Sequence, residues 1–426
     1  MAGIACKRKG HSVSILEESI TADRDSYAAG IRLGDEAQRF LINHDILTAE
    51  DSVDCSGLQF VNQKNRPERF VQSPMRMTSW EILYYHLRGC FDGHASRLCP
   101  NPPIARKGDG KVTYTNSIRV TNVEIGKDGR PRVESEDLTK NGRKTVVEAD
   151  RVIMADGSNS RLRQIFAVAA TNAPQYAGYV AWRGTVKESA VSSSTREAIG
   201  TSFLVHKSPP NYILVSVKIG LYRSARAMLI CSSYTIPGST GSTKIGERLF
   251  NFGWYHQIPE NSGEFGSIMT DARGHRHRAT IPPGDMDPEV WERQKTYGRK
   301  VLAPPFAELI ENTEQPFIST VREAHASQAS YHEGRIITIG DALATFRPHI
   351  AMSVNQAALN CIHLERMLDG EITVQQWTAE VERYSRTTAR LSTLAGDFVM
   401  YGISMRLLSS AVAYLWELAS SSFLYG

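Results

Sequence analysis

Three short apolar, β-branched runs in this chain each stop at an acid. They are Val13 to Leu16 before Glu17, Val152 to Ala155 before Asp156, and Ile336 to Ile339 before Gly340-Asp341. Short runs of this kind, interrupted only by Ser14 and Thr338, read as short buried strands of a mixed sheet. A carboxylate at the carboxyl end of such a strand sits where open α/β sheets bind ligands. A lone Asp in that place is commonly a turn former. Three acids in this order, with a strand-rich stretch between the second and third, ask for an elongated ligand rich in hydroxyls and phosphates.

Each run has a helical neighbour. MAGIACKRKG, before the first, reads as the last turns of a helix stopped by Gly10. Helix, glycine stop and strand ending in Glu form the second half of a dinucleotide-binding βαβ unit. The first half is not found: no apolar strand precedes Gly3, and GxGxxG is absent. Glu17 follows Gly3 by fourteen positions, where the motif usually puts its acid about 20 on. The helix is therefore expected to be about one turn short. After the second run, Ser158 or Asn159 is expected to cap a helix beginning near Ser160. Arg161 and Arg163 in its first turn ask for a nearby anion. After the third, a Pro348-His349 turn leads into a helix with Ala357, Ala358, Leu359, Ile362, Leu364 and Leu368 on or near one face. Its start offers free N–H groups.

Between these landmarks, Gly30 and Gly34 flank an extended piece, and Asp35 is placed to cap a helix carrying Ala37, Phe40 and Leu41. Asn62 to Arg69 reads as loop. MTSWEILYYHLRGCF reads as an amphipathic helix capped by Thr78 or Ser79. Lys111 to Glu148 alternates as an antiparallel meander with turns at Lys127-Asp128-Gly129 and Lys140-Asn141-Gly142. Gly178 to Arg278 is strand-rich, including YILVSVKI and RLFNFGWYHQI. Asp287 to Glu311 returns to helix, and PFISTVREA supplies a further strand.

At 426 residues, 41% apolar and 22% charged, the chain is expected to form two or three globular domains, and its net charge of +4 argues against a nucleic-acid binder. Six cysteines without a CxxC pair suggest reduced thiols, no metal site and a cytoplasmic location, and no signal peptide is seen. Leu407 to Gly426 reads as a terminal helix packed on the body, making membrane association unlikely; a tail anchor is the other reading.

Several stretches carry a resemblance: SILEES around Glu17, AAGIRL at 28–33, MTSWEILYYHLR at 77–88, MADGSNSRLR at 154–163, NFGWYHQI at 251–258, TDARGHRHRATIPPG at 270–284 and GDALATFRPH at 340–349. Together they resemble the class A flavoprotein aromatic hydroxylases, of the p-hydroxybenzoate hydroxylase fold, and within them the 2,6-dihydroxypyridine 3-monooxygenase-like enzymes. The resemblance implies an α/β fold with an α+β insert. An FAD-binding Rossmann-like domain with an incomplete N-terminus (1–175, including the meander) would be followed by a β-sheet substrate domain (176–330). Residues 331–426 would return to the FAD domain and end in helices. The implied activity is an FAD-dependent monooxygenase using NAD(P)H and molecular oxygen to hydroxylate a phenolic or N-heteroaromatic compound through a flavin C4a-hydroperoxide. A relative that binds FAD weakly and does not catalyse is the alternative.

The resemblance also implies roles. Glu17 would bind the adenosine ribose of FAD and Gly3 would be the last glycine of the cradle. Asp156 and Gly157 would serve the FAD and nicotinamide-nucleotide region. Gly340 and Asp341 would hold the ribityl chain, with Pro348 near the flavin ring. Ala351 and Ser353 stand where the family usually carries GxG, and Trp80 where it usually carries an Arg. For a small aromatic substrate, Trp182 and Tyr255 are candidate contacts, and each also reads as sheet packing. His256 or His349 is the candidate catalytic base, and each also reads as a structural histidine. The Arg273 to Arg278 run reads as a solvated hairpin. The reading leaves room for a homodimer.

Overall fold

The computed structural model describes residues 1–21, 29–166, 173–208, 212–214, 223–225, 229–402 and 404–423. The Val13–Leu16 strand lies parallel to Val112–Thr115. Val112–Thr115 was expected in the meander. The antiparallel meander is instead built from Ile118–Ile125, Pro131–Asp137 and Arg143–Glu148. A second parallel pair sets Val152–Met154 against Ile336–Thr338, whose other edge takes the antiparallel Ser330–Tyr331. Among the described residues, Val13–Leu16 and Val152–Met154 each keep one edge without a strand partner. The two edges share side-chain packing: Leu16 joins the cluster of Val152, Met154 and Ile336, while Ile15 and Ile153 join that of Ile337 and Ile339.

The helix Ala2–Arg8 precedes Val13–Leu16, and Gly10 turns the chain with φ of 81°. A side chain at Gly3 would meet Phe91 at 2.8 Å and Ile15 at 3.2 Å, so glycine lets this helix press onto the strand. The helix Trp80–Asp92 starts as expected, with the Ser79 hydroxyl accepting from the Ile82 N–H. Asp35 does not cap the helix Asp35–Asn43. It is the first helical residue, and the amide oxygen of Asn355, far along the chain, takes the N–H groups of Glu36 and Ala37. Pro67 to Arg69, expected as loop, opens the long strand Pro67–Ser79, which pairs with Val53–Val61.

The largest sheet runs in the order Thr280–Ile281, Phe317–His325, Gln175–Lys187, Leu249–Gln257, Leu229–Ile236, Phe203–Ser208, Val53–Val61, Pro67–Ser79, Gly30–Leu33. It therefore draws strands from both sides of the boundary expected at 175/176. Of YILVSVKI, only Tyr212–Leu214 lies within the described residues, paired with Arg223–Ala225. One face of the large sheet packs Trp182, Phe252 and Trp254 against Trp291, Phe306 and Leu309, from the helices Pro288–Val301 and Pro304–Glu311. The other face sets Tyr179, Ala181 and Tyr255 against Met400 of the long helix Val374–Tyr401. The last helix, Met405–Phe423, leaves Met405, Leu408, Val412, Leu415 and Trp416 exposed. Among the described residues, no helix is long and apolar enough to cross a membrane.

Candidate active site

The ends of the second and third acid-stopped strands lie side by side, because Thr338 is in register with Met154. One fully buried side chain ties the loops that follow them. The Arg163 guanidinium donates to the carbonyls of Ser158, Asp341 and Ala342, at 2.7, 3.2 and 3.1 Å. The charge expected to need a bound anion is thus met by backbone oxygens. Asp156 is fully engaged: one carboxylate oxygen accepts from the Ser160 hydroxyl at 2.6 Å and the other from the Leu162 N–H at 3.2 Å. Asp156 and Ser160, not Ser158 or Asn159, organise the start of the short helix Leu162–Ile165. Gly157 turns the loop with φ of 79°.

Asp341 differs. Its Oδ1 is buried and has no hydrogen-bond partner among the described residues. Burial pushes this carboxyl up to about 6, against a hydrogen bond from Ser353 and the charge of Arg163. Gly340 enters the loop with φ of 57°, and its N–H donates to the Asn360 side chain at 2.9 Å. The Gln356 amide donates to the carbonyls of Gly340 and Ala344, both at 2.9 Å. Asn355, Gln356 and Asn360, buried amides of the helix Ser353–Leu368, hold the loops before and beneath it. The sequence reading missed them. Three amides within six positions of one helix were the available signal.

That helix opens on Ala351, held in the left-handed region at φ 51° and ψ 47°, and has no side-chain cap. Its first N–H groups therefore meet no capping side chain. Glu17 ends its strand with Oε1 accepting from the Ser19 N–H at 2.9 Å, and the neighbouring Glu18 lies 4.0 Å from Arg161 of the second loop. Trp80 stacks on Tyr84 with centroids 4.9 Å apart.

The Pro348-His349 turn meets the large sheet. Nε2 of His349 lies 2.8 Å from the Tyr179 hydroxyl, and its ring centroid is 4.9 Å from that of Tyr255. Burial, aided by the charges of Arg347 and Arg183, holds the imidazole down at about 3, so it is neutral near pH 7. Tyr179 is pushed well up by burial and keeps its proton. Arg347 fixes the turn from behind: it pairs with Glu323 at 2.7 and 3.0 Å and with Asp397 at 2.7 Å. A side chain at Gly396 would come within 3.1 Å of both His349 and the Tyr179 hydroxyl, so the helix needs glycine there. Arg183 shares the Tyr255 face by strand alternation, with a buried Nε that has no partner. His256 and Trp182 lie on the opposite face, among the Trp254 and Trp291 rings. The structure thus brings Tyr255 and His349 together and separates both from Trp182 and His256. The Arg273–Arg278 run wraps around Asp271, which accepts from the N–H groups of Arg273 and His275 and from His277.

Residues 176–323 match a protein family described as FAD binding domain-like. The chain is homologous to 2,6-dihydroxypyridine 3-monooxygenase of Paenarthrobacter nicotinovorans, 26% identical over 356 residues, covering 82% of this chain and 75% of that protein. Among solved structures, 2,6-dihydroxypyridine-3-hydroxylase from Arthrobacter nicotinovorans superposes with a TM-score of 0.72 at 20% identity, over 92% of this chain and 94% of that one. The fold is that of the FAD-dependent monooxygenases. Klebsiella pneumoniae HpxO complexed with FAD and uric acid has the same fold, with a TM-score of 0.62 at 15% identity over 97% of this chain and 94% of that one. The expected fold class, mixed α/β with C-terminal helices, is the observed one.

Proposed function

We propose that this protein is an FAD-dependent monooxygenase that draws electrons from NAD(P)H and places one oxygen atom of O2 on a phenolic or N-heteroaromatic ring. The buried, partnerless oxygen of Asp341 carries the reading, because it suits a polyol. A hydroxyl of the ribityl chain would donate to it and offset the cost of burying a carboxylate. Gly340, Asp341, Pro348, Ala351, Ser353 and the first N–H groups of the Ser353–Leu368 helix would hold the flavin end. Glu17 would take the adenosine ribose, while Gly3, Asp156 and Gly157 would shape the path between. The flavin, when bound and reduced, supplies the activation of oxygen.

The chain's own contribution is to orient and deprotonate the ring. With the forming oxyanion beside it to offset the burial that holds its imidazole down, His349, joined to Tyr179, would accept the proton of a ring hydroxyl. Arg183 would stabilise the resulting oxyanion, and Tyr255 would form a wall of the pocket. A deprotonated hydroxyl makes the ring a better electron donor for oxygen transfer. Trp182 and His256, on the other face, have no part in this step. In this reading the enzyme is a cytoplasmic protein, and a homodimer would cover the exposed stripe of the last helix. The test is to purify the protein with FAD and measure flavin absorbance and aromatic-stimulated NAD(P)H oxidation, with hydroxylated product by mass spectrometry. A yellow protein forming product supports the proposal. A yellow protein that oxidises NAD(P)H without product from any phenol or pyridinol removes it.

The FAD-weak relative is favoured by one observation, that Val13–Leu16 and Val152–Met154 each keep an edge without a strand partner among the described residues. One further parallel strand would join the two small sheets. Extending the chain before Ala2 with an apolar strand and a glycine-rich turn would raise FAD affinity if those edges limit binding. Unchanged affinity would dismiss that reading.

A further inference from the structure

The helix-covered face of the large sheet contains a cleft of about 810 Å³, lined by Trp182, His256, Glu264, Arg293, Gln294 and Tyr297 among others. Adjacent residues of a strand point to opposite faces, so Tyr255 and His256 serve different sides. His256 is 8% exposed, and its Nε2 lies 3.2 Å from the Gln294 amide nitrogen. That amide donates to Nε2, which places the single proton of the neutral ring on Nδ1. Nδ1 has no hydrogen-bond partner among the described residues, and the ring lines the cleft. The ring is also fixed: it meets Trp254 edge-on at 4.4 Å and Tyr297 edge-on at 5.7 Å. An N–H that opens to a cleft with no protein acceptor can take one from a ligand.

The rest of the cleft fits an aromatic acid. Tyr297, 41% exposed, supplies an aromatic ring. Arg293 at the rim has no ion-pair partner among the described residues, and its guanidinium donates only to the Ser267 hydroxyl, at 3.1 Å. Glu264 stands exposed at the rim as well, so a bound carboxylate must lie toward Arg293. We infer that this cleft is a second binding site, separate from the proposed catalytic pocket, for a small planar aromatic carboxylate. Its ring lies against Tyr297, and its carboxylate takes the Nδ1–H of His256 and the Arg293 guanidinium.

Benzoate titrated into the apo chain, followed by tryptophan fluorescence and calorimetry, tests this. Saturable one-site binding is expected. Arg293→Ala, an exposed change that leaves the core intact, should weaken it about tenfold or more, the loss of one charge-assisted contact. His256→Phe should weaken it similarly, and benzyl alcohol should bind less well than benzoate. His349→Ala and Tyr255→Phe should leave benzoate affinity unchanged, which separates this site from the catalytic reading. Absence of saturable binding, indifference to Arg293→Ala, or loss of binding in the Tyr255 and His349 variants would each overturn the inference.

Discussion

Asp156 and Asp341 close neighbouring parallel strands at the same level, yet their carboxylates are in opposite states. Asp156 spends both oxygens on its own loop, on Ser160 and Leu162. Asp341 keeps one oxygen buried and unbonded, and burial raises its proton affinity to about 6. A strand-ending acid is therefore not a ligand site by position alone. Its free hydrogen-bonding capacity decides whether it builds the loop or waits for a partner. Arg163 makes the contrast stable, since one side chain holds both loops through their carbonyls.

The largest effect expected is collapse of this arrangement. Arg163→Met leaves three carbonyls short of a donor and should lower unfolding stability by about 3 kcal/mol or more, read by urea denaturation. A loss below about 1 kcal/mol would mean the strap is incidental. Next, the two acids should separate by assay. Asp341→Ala should weaken FAD binding about tenfold to a hundredfold, the worth of one hydrogen bond to a charged group, with little loss of stability. Asp156→Ala should do the reverse, costing about 1 kcal/mol of stability as a lost cap. Equal behaviour of the two variants would erase the distinction.

The pH dependence sharpens it further. A raised carboxyl pKa favours the folded apo protein below about pH 4, and that contribution is lost as pH rises through about 6. A ligand hydroxyl favours the charged form, so binding FAD should release a proton. FAD affinity should then rise with pH up to about 6 and level off above it, and Asp341→Asn should flatten the curve. A wild-type affinity that is flat from pH 5 to 8 would break the comparison on the Asp341 side. The smallest effect concerns the turn beside Ser353. Ala351→Gly relieves a left-handed φ of 51° and should add about 0.5–1 kcal/mol of stability, measured as a higher Tm.

Much of the site's outline could be read locally. The Val13–Leu16 strand, the Ser79 cap and the helix after Pro348-His349 follow from patterns spanning a few residues. The grouping of histidines and aromatics did not. Tyr255 and His256 are neighbours on one strand, and the two-residue period alone shows that they cannot share a face. Which face meets His349 depended on the Val374–Tyr401 helix docking over Tyr179 and Tyr255. Val112–Thr115 alternates like the meander that follows it, and only long-range pairing sent it to Val13–Leu16.

By itself the sequence determined the acid-stopped strands and the Ser79-capped helix, because turn residues, caps and apolar periods act over one or two turns of chain. It also carried the family likeness from Lys7 to about Leu368. The tertiary structure decided which polar atoms are satisfied. Arg163 reaches 178 and 179 positions along the chain to the carbonyls of Asp341 and Ala342, and Asn355 reaches back 319 to the Glu36 N–H. Hydrogen bonds of that span arise only when packing brings distant backbone together, so no local pattern announces them. The oxygen left over on Asp341 is the residue of that accounting.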